Sequence, residues 1–185
     1  MASEKMKPFP KEDRKLALVI VDVQKKFILN ARDTTLESVK DSTPLMLDVI
    51  RKFREAGRPV IWVFYAGKTC LKGITDETDI LLDGFEIAEG DHVVRKYHMN
   101  SFYNTNLADI VHSYDCDGVL IMGMFAQYCA MATYWGAFDK ELSPYMMEGG
   151  LISTDQKYCD LAVELCKSYS MAELDINLQK NRVLE

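Results

Sequence analysis

The chain has 185 residues, of which 48% are hydrophobic and 27% charged, and its formal net charge at pH 7 is -6. These values are typical of a globular domain that is long enough to bury a sizeable core, and the negative charge argues against nucleic-acid binding, which needs a basic face. No apolar run is as long as a membrane span, and the N-terminus lacks the apolar core of a signal peptide, so we expect neither a membrane protein nor a secreted one.

The cysteines point to a reducing environment. There are five of them, an odd number, and none forms a C-x-x-C pair, so the sequence predicts neither a disulfide framework nor a zinc ribbon. The cytoplasm is the expected location, and there a thiol can remain a nucleophile. No repeat or linker divides the chain, so we predict a single domain over residues 1–185, with residues 1–13 as a loose lead-in.

Apolar runs alternate with helical patterns along the chain. The predicted strands are Leu16–Val21, Pro59–Tyr65, His92–Lys96, Gly118–Met122, Tyr145–Met147 and Met171–Leu174. The predicted helices are Leu36–Ala56, Asn106–Tyr114, a helix running from Cys129 to about Leu142, and Asp155–Ser168. Residues 66–91 predict a long excursion over the surface. The alternation predicts an α/β fold, a three-layer α/β/α sandwich around a mainly parallel sheet of about six strands.

Three chemically active side chains follow predicted strands. Asp22 comes after the first strand, Lys96 ends the third, and Cys129 lies just past the fourth. The carboxyl ends of parallel strands meet at one edge of the sheet, where α/β proteins bind their ligands. Taken singly, these residues are also explained as a core thiol, a turn-forming Asp and a surface Lys. Their joint placement favours an enzyme.

The chemistry of these residues predicts acyl transfer. The first turn of a helix would favour the thiolate of Cys129 through unpaired N–H groups and the helix dipole. Asp22 can act as the base, and Lys96 can stabilise the negative charge. Backbone N–H groups of the turn from Phe125 to Cys129 would form an oxyanion hole. The implied reaction passes through a thioester.

The same residues lie in three recognisable segments. LALVIVDVQKKF contains a D-x-Q-x-x-F pattern made by Asp22, Gln24 and Phe27; VVRKYHMNSFYNTNL carries Lys96; and GVLIMGMFAQYCAMATYWGAF carries Cys129. In this order and separation the segments resemble the isochorismatase-like cysteine hydrolase superfamily, which includes nicotinamidases and N-carbamoylsarcosine amidases.

The resemblance implies a catalytic triad of Asp22, Lys96 and Cys129, and a cis peptide between Met124 and Phe125. It also implies a homo-oligomer, a dimer or larger. Trp62, Phe64, Tyr65 and Trp135 could line an aromatic pocket or belong to the core.

The chain departs from the metal-containing members of that superfamily. Nicotinamidases with a metal carry Asp-x-His after the second strand, whereas this chain has FYAGKTCLKG there. Its three histidines, His92, His98 and His112, have no ligand spacing. We therefore predict no catalytic metal and no cofactor.

The expected partner is a small-molecule substrate. The residues expected to contact it are Gln24, Phe27, Tyr97, Asn100, Tyr103 and Tyr128. Asn100 takes the place of a common family serine, and Phe125 and Tyr128 change the turn before the thiol. Cys70 could approach the mouth of the pocket or be an incidental loop thiol.

The sequence thus predicts a metal-independent cysteine hydrolase that cleaves a non-peptide amide or ureido C–N bond. Two alternatives stay open. One is an isochorismatase-type vinyl-ether hydrolase, in which Asp22 protonates the substrate and Cys129 is incidental. The other is a non-catalytic relative that acts as a binding or scaffold protein.

Overall fold

The computed structural model describes residues 13–67 and 80–180. The predicted lead-in, apart from its last residue, lies outside the described residues. So do Cys70 and the middle of the predicted excursion.

Six parallel strands form one sheet in the order β3-β2-β1-β4-β5-β6. Their bounds are β1 Leu16–Val21, β2 Val60–Tyr65, β3 His92–Lys96, β4 Gly118–Met124, β5 Ser143–Ile152 and β6 Ser168–Tyr169. The chain adds β2 and β3 on one side of β1 and then crosses to place β4 on the other side. The predicted parallel sheet is therefore confirmed.

Helices cover both faces of the sheet. The α-helices among the described residues are α1 Asp33–Glu55, α2 Leu107–Ser113, α3 Met131–Phe138, α4 Gln156–Leu165 and α5 Met171–Lys180. Alternate residues of β1 contribute to two separate core clusters, one shared with α1 and α5 and the other with α2, α3 and α4. Because side chains of a strand alternate between faces, a strand buried in both clusters must be apolar throughout, as LALVIV is. The three-layer α/β/α architecture is confirmed.

The last predicted strand was wrong. Met171–Leu174 is the first turn of α5, and the last strand is the two-residue β6 just before it. The cause is a capping box: Ser170 Oγ lies 3.4 Å from the N–H of Glu173, while the Glu173 carboxylate accepts from the Ser170 N–H at 2.8 Å. The Ser-x-x-Glu pattern was visible in the sequence and outweighs the apolar character of the segment.

Several other boundaries also differ from the prediction. Asp155 is the N-cap of α4, accepting from the Lys157 N–H at 3.1 Å, and α4 stops at Leu165 because Cys166 is extended. α3 ends at Phe138, short of the predicted Leu142. β5 is much longer than predicted and pairs with β4 through a register shift, so it carries the chain further towards the ligand-binding edge.

Gly123 allows β1 and β4 to approach closely at that edge. It pairs with Val21, has a φ of +113°, and a Cβ built on it would lie 2.2 Å from the Val21 carbonyl oxygen. Only glycine tolerates both the dihedral angle and the contact. The position therefore sets the spacing between the strand that precedes Asp22 and the strand that precedes Cys129.

Gly123→Ala is expected to lower the free energy of unfolding by about 3 kcal/mol, because the added methyl group must push β1 and β4 apart. The matched control is Gly90→Ala. Gly90 has a φ of +92° and nothing within 4 Å of the added Cβ, so only backbone strain of about 1 kcal/mol remains. Urea unfolding of both variants measures the difference, and equal losses would contradict the close-approach explanation.

Candidate functional site

Asp22 lies at the point where the order of the strands reverses, between β1 and β4. It directly follows β1, adopts a left-handed φ of 54° that Asp tolerates better than most residues, and its N–H donates to the Val63 carbonyl of β2 at 2.9 Å. Its carboxylate is 1% exposed. A carboxylate is thus fixed inside the crevice between β1 and β4, the usual ligand site of an open α/β sheet.

Lys96 reaches Asp22 from two strands away. It ends β3, is fully buried, and extends past the end of β2 with its Nζ 5.5 Å from the Tyr65 ring centroid. The Nζ lies 2.8 Å from Asp22 Oδ2 and donates to the Met99 carbonyl at 3.0 Å. The ammonium and the carboxylate therefore form a buried ion pair.

The ion pair leaves proton-accepting capacity on Asp22. The Lys96 ammonium lies close to one Asp22 oxygen, and the side chains of both Lys96 and Cys129 act on the carboxylate as hydrogen-bond donors. Burial raises the pKa of Asp22 above its ordinary value of 3.8, against the opposing charge of Lys96. A buried carboxylate of this kind has an increased tendency to take up a proton.

Cys129 completes the group from the start of the helical segment that follows β4, as predicted, although its own turn is not α-helical. It lies in a π-helical turn, Ala126–Ala130, which follows β4 and leads into α3. The half-buried thiol faces both the Asp22 carboxylate and the Lys96 ammonium. Single π-helical turns are frequent at functional sites because they redirect one side chain.

The predicted preference for a thiolate is wrong for the resting site. Burial and the neighbouring Asp22 charge together raise the pKa of Cys129 to about 12, and Lys96 opposes them only in part. The helix-terminus argument considered local dipoles alone, whereas desolvation by the surrounding fold dominates here. The resting thiol keeps its proton and faces a carboxylate that can accept it.

Side-chain hydrogen bonds hold the turn that carries Cys129. Gln127 accepts from Ser153 Oγ at 2.8 Å and donates to Thr154 Oγ1 at 3.0 Å, which ties the turn to the end of β5. The Tyr128 N–H donates to the Phe125 carbonyl at 2.9 Å, and the peptide between Met124 and Phe125 is cis. The sequence did not single out Gln127, because its partners lie far away along the chain.

Aromatic rings line the crevice beside Asp22. The Phe27 ring lies 6.2 Å from that of Tyr65 and 6.1 Å from that of Phe125, measured between centroids. Lys26, which sequence reasoning did not consider, is buried next to them, and its ammonium donates to the Tyr65 carbonyl. Its only sequence signal is its place inside the D-x-Q-x-x-F pattern.

The expected substrate-contacting residues divide into two groups. Gln24 is buried and accepts from the Tyr65 N–H at 2.9 Å, and Asn100 accepts from the Phe102 N–H at 2.8 Å, so both have structural partners. Asn100 also packs against α3, where a Cβ on Gly136 would lie 2.2 Å from its amide. The second group consists of three exposed tyrosines, Tyr97, Tyr103 and Tyr128. Substrate contact stays a prediction for all of these residues.

The donor residues do not fit a resident metal within the described part of the chain. No group of three or more His, Cys, Asp and Glu side chains there could hold an ion. His92 hydrogen-bonds the Tyr114 hydroxyl at 2.8 Å, and His98 packs on the Tyr103 ring at 4.7 Å. Metal independence stays a prediction.

The comparisons with known proteins identify the family. A model of the isochorismatase domain matches residues 16–174, from β1 into α5. N-carbamoylsarcosine amidase from Thermoplasma acidophilum superposes with a TM-score of 0.69 at 27% identity, over 84% of this chain and 96% of that one. Pyrazinamidase of Pyrococcus horikoshii, solved in complex with zinc, superposes with a TM-score of 0.68 at 18% identity, over 85% and 99%. This chain belongs to the isochorismatase family, whose members are hydrolases.

A further relative is matched over part of its length. It is described as the secreted isochorismatase effector Isc1 of Verticillium dahliae, and it is 26% identical over 118 residues. The match covers 63% of this chain and 61% of the relative. A secreted relative leaves the cytoplasmic location of this chain a prediction. Across residues 13–67 and 80–180, no helix has the length and apolar character needed to span a bilayer.

Proposed function

We propose that this isochorismatase-family hydrolase cleaves an amide or ureido C–N bond of a small molecule with Cys129 as its nucleophile. The observation that carries the proposal is the buried contact of three groups: the protonated thiol, the Asp22 carboxylate with its raised pKa, and the Lys96 ammonium 2.8 Å from that carboxylate. Asp22, Lys96 and Cys129 supply a base, a fixed positive charge and a nucleophile at one point.

The first step is attack of the Cys129 sulfur on the substrate carbonyl carbon. The thiol proton passes to Asp22 as the S–C bond forms, so no free thiolate is needed beforehand. The proton on Asp22 then goes to the departing nitrogen, and the C–N bond breaks to leave a thioester. Water, deprotonated by Asp22, attacks the thioester and releases the acid with the regenerated thiol.

Charge develops on the carbonyl oxygen during each attack. The proposed donors to it are the backbone N–H groups of Phe125 and Cys129, because the first N–H groups of a helical segment have no partner within that segment. Lys96 adds a fixed charge that offsets the negative charge developing on sulfur as its proton passes to Asp22. Its burial strengthens this effect, since no water screens it.

A second candidate function is favoured by the proton affinity of Asp22. A carboxyl group whose pKa is raised by burial can also donate a proton, as the cleavage of a vinyl ether requires. In that reaction Cys129 would be dispensable. The two functions differ in their products, since isochorismate yields pyruvate, whereas a primary amide or a terminal ureido group yields ammonia.

Ammonia release from a panel of primary amides, N-carbamoyl acids and ureido acids tests the proposal. We expect at least one compound to be turned over at about 1 s⁻¹ or faster, with the rate unchanged after treatment with a chelator. Pyruvate release from isochorismate is measured in parallel. Pyruvate without ammonia would establish the second candidate, and loss of turnover in the chelator would contradict metal independence.

Three broader expectations remain proposals: a single domain, a cytoplasmic location and a homo-oligomer. Trp135 and Phe138 are partly exposed on α3 and stack at 6.0 Å, which gives an apolar surface that a second copy could cover. Analytical ultracentrifugation measures the oligomeric state directly.

A further inference from the structure

A pair of buried hydroxyl groups joins the segment after β3 to α3. Ser101 Oγ lies 2.7 Å from Thr133 Oγ1, and the Ser101 N–H donates to the same threonine oxygen at 3.2 Å. Both residues are fully buried. Polar groups that are hidden from water are costly unless they are paired, so each hydroxyl holds the other in place.

Thr133 shares one face of its helical segment with Cys129. The two residues are four positions apart and Gly136 follows three positions later, which is the spacing of neighbours on one helix face. Asn100 packs against that glycine so closely that a Cβ there would lie 2.2 Å from the Asn100 amide. The face that carries the thiol therefore meets the segment after β3 at more than one point.

Met99 connects the hydroxyl pair to the ammonium of Lys96. Its carbonyl accepts from Lys96 Nζ at 3.0 Å, and it lies two residues before Ser101. Asp22 and Cys129 interact with the same ammonium, which has three donors, one for each of these partners. A shift of the Met99 carbonyl would therefore move the ammonium relative to the thiol.

We infer that the hydroxyl pair of Ser101 and Thr133 positions the Lys96 ammonium against the Cys129 thiol by holding the Met99 carbonyl in place. The inference rests on the proposed function and deepens it, because it assigns two positioning residues to the same site. Both are buried and act through Lys96 rather than on the substrate. The competing explanation is that the pair only stabilises the fold.

The rate at which iodoacetamide alkylates Cys129 separates the two explanations. Ser101→Ala and Thr133→Val each remove one hydroxyl of the pair, whereas Thr133→Ser keeps it. The control is Tyr134→Phe, since Tyr134 is the next residue of α3, is also fully buried, and accepts with its hydroxyl from the Lys167 N–H at 2.9 Å. Peptide mass spectrometry measures the rate at one fixed pH below the pKa of the thiol.

Loss of the hydroxyl pair is expected to slow this alkylation by about threefold or more. The Lys96 ammonium lowers the pKa of Cys129, so its displacement raises that pKa and leaves less thiolate. A fold that is merely loosened would expose the half-buried thiol and speed up the reaction instead. Thr133→Ser and Tyr134→Phe should keep the wild-type rate.

The double variant Ser101→Ala with Thr133→Val keeps the test decisive if either single variant folds poorly. It leaves neither hydroxyl unpaired, so it should recover part of the lost stability while alkylation stays slow. Alkylation of the double variant at the wild-type rate or faster would overturn the inference. Slowing of Tyr134→Phe to the same extent would overturn it too, in favour of a purely structural role.

The alkylation result is independent of turnover. Slower alkylation in these variants, with no amide hydrolysed by the wild type, would retain the positioning role while rejecting the hydrolase proposal. For an amide that is hydrolysed, we expect the double variant to lower kcat by about tenfold and to leave KM unchanged. A wild-type kcat in that variant would overturn the positioning role and leave the hydrolase proposal intact.

Discussion

Cys129→Ser and Cys129→Ala are expected to reduce hydrolysis of a responsive amide by at least about a thousandfold. Serine keeps the size of the side chain, but its hydroxyl is a far weaker acid than a thiol, so Asp22 cannot accept its proton as readily. Alanine removes the nucleophile altogether. Steady-state ammonia release measures the loss, and circular dichroism confirms that the variants fold.

The control for this prediction is another thiol of the same chain. Cys116 is buried just before β4 begins, at the end of the strand opposite to Cys129. Cys116→Ser is expected to lower stability, because a hydroxyl costs more to bury than a thiol, while leaving kcat unchanged. Retention of more than a tenth of the wild-type rate by Cys129→Ala would show that the thiol is incidental and favour the ether hydrolase.

A covalent intermediate gives a second measurement. Mass spectrometry of the wild type quenched during turnover should show the acyl group on the Cys129 peptide. Failure to detect the adduct under single-turnover conditions, together with full activity of Cys129→Ala, would reject the thioester.

Asp22→Asn is expected to reduce hydrolysis by about a thousandfold. The same substitution is expected to lower the pKa of the Cys129 thiol. The negative charge of Asp22 raises the pKa of Cys129 while Lys96 lowers it, so loss of the carboxylate leaves Lys96 unopposed and moves the pKa below about 12. The variant therefore holds more thiolate at a given pH and is still inactive, because the departing nitrogen receives no proton.

Thiolate absorbance, recorded as a function of pH, measures this shift. Asp22→Asn combined with Cys129→Ala gives the background, since the double variant lacks the titrating thiol. An upward shift of the titration, or activity that increases with the thiolate, would contradict the assignment of Asp22 as the base.

The dependence of wild-type hydrolysis on pH is expected to follow the ionisation of Asp22. Asp22 must be ionised to accept the thiol proton, and burial raises its pKa above 3.8, so activity should fall as the pH drops through this raised value. The acid limb should therefore lie above the range of an exposed aspartate, and Asp22→Asn should lack it.

Asp22→Asn is also expected to reduce the stability of the fold. It leaves the fully buried Lys96 ammonium without its carboxylate, which we expect to lower the free energy of unfolding by about 3 kcal/mol. The double variant with Lys96→Met removes both charges and should recover most of that loss without recovering activity. This result would separate the catalytic effect from instability.

Much of the fold was predictable because it depends on local patterns. LALVIV and PVIWVFY are continuous apolar runs, and such a run, buried on both faces, is typical of a central strand in a parallel sheet. The convergence of Asp22, Lys96 and Cys129 followed from the geometry of such a sheet. The boundary of α5 was missed although the Ser170 capping box was present in the sequence.

The remaining features depend on contacts between distant segments. Lys26 stands in a run of two lysines that is typical of a surface, and only Tyr65 and Phe27 in the folded chain show that it is buried. The protonation of Cys129 depends on desolvation by the whole site, which no local rule contains. Gln127 likewise acquires its role through β5.

The reach of Lys96 from β3 to Asp22 has a consequence for how the site comes into being. Asp22 follows β1, Lys96 ends β3 on one side of it, and Cys129 follows β4 on the other side. A chain that has formed only β1, β2 and β3 therefore holds the acid and the cation but not the thiol. The site is complete only when β4 docks beside β1 from the other direction. The rate at which hydrolysis recovers after dilution from denaturant therefore measures the rate at which β4 docks beside β1. It does not measure the rate at which the helices form.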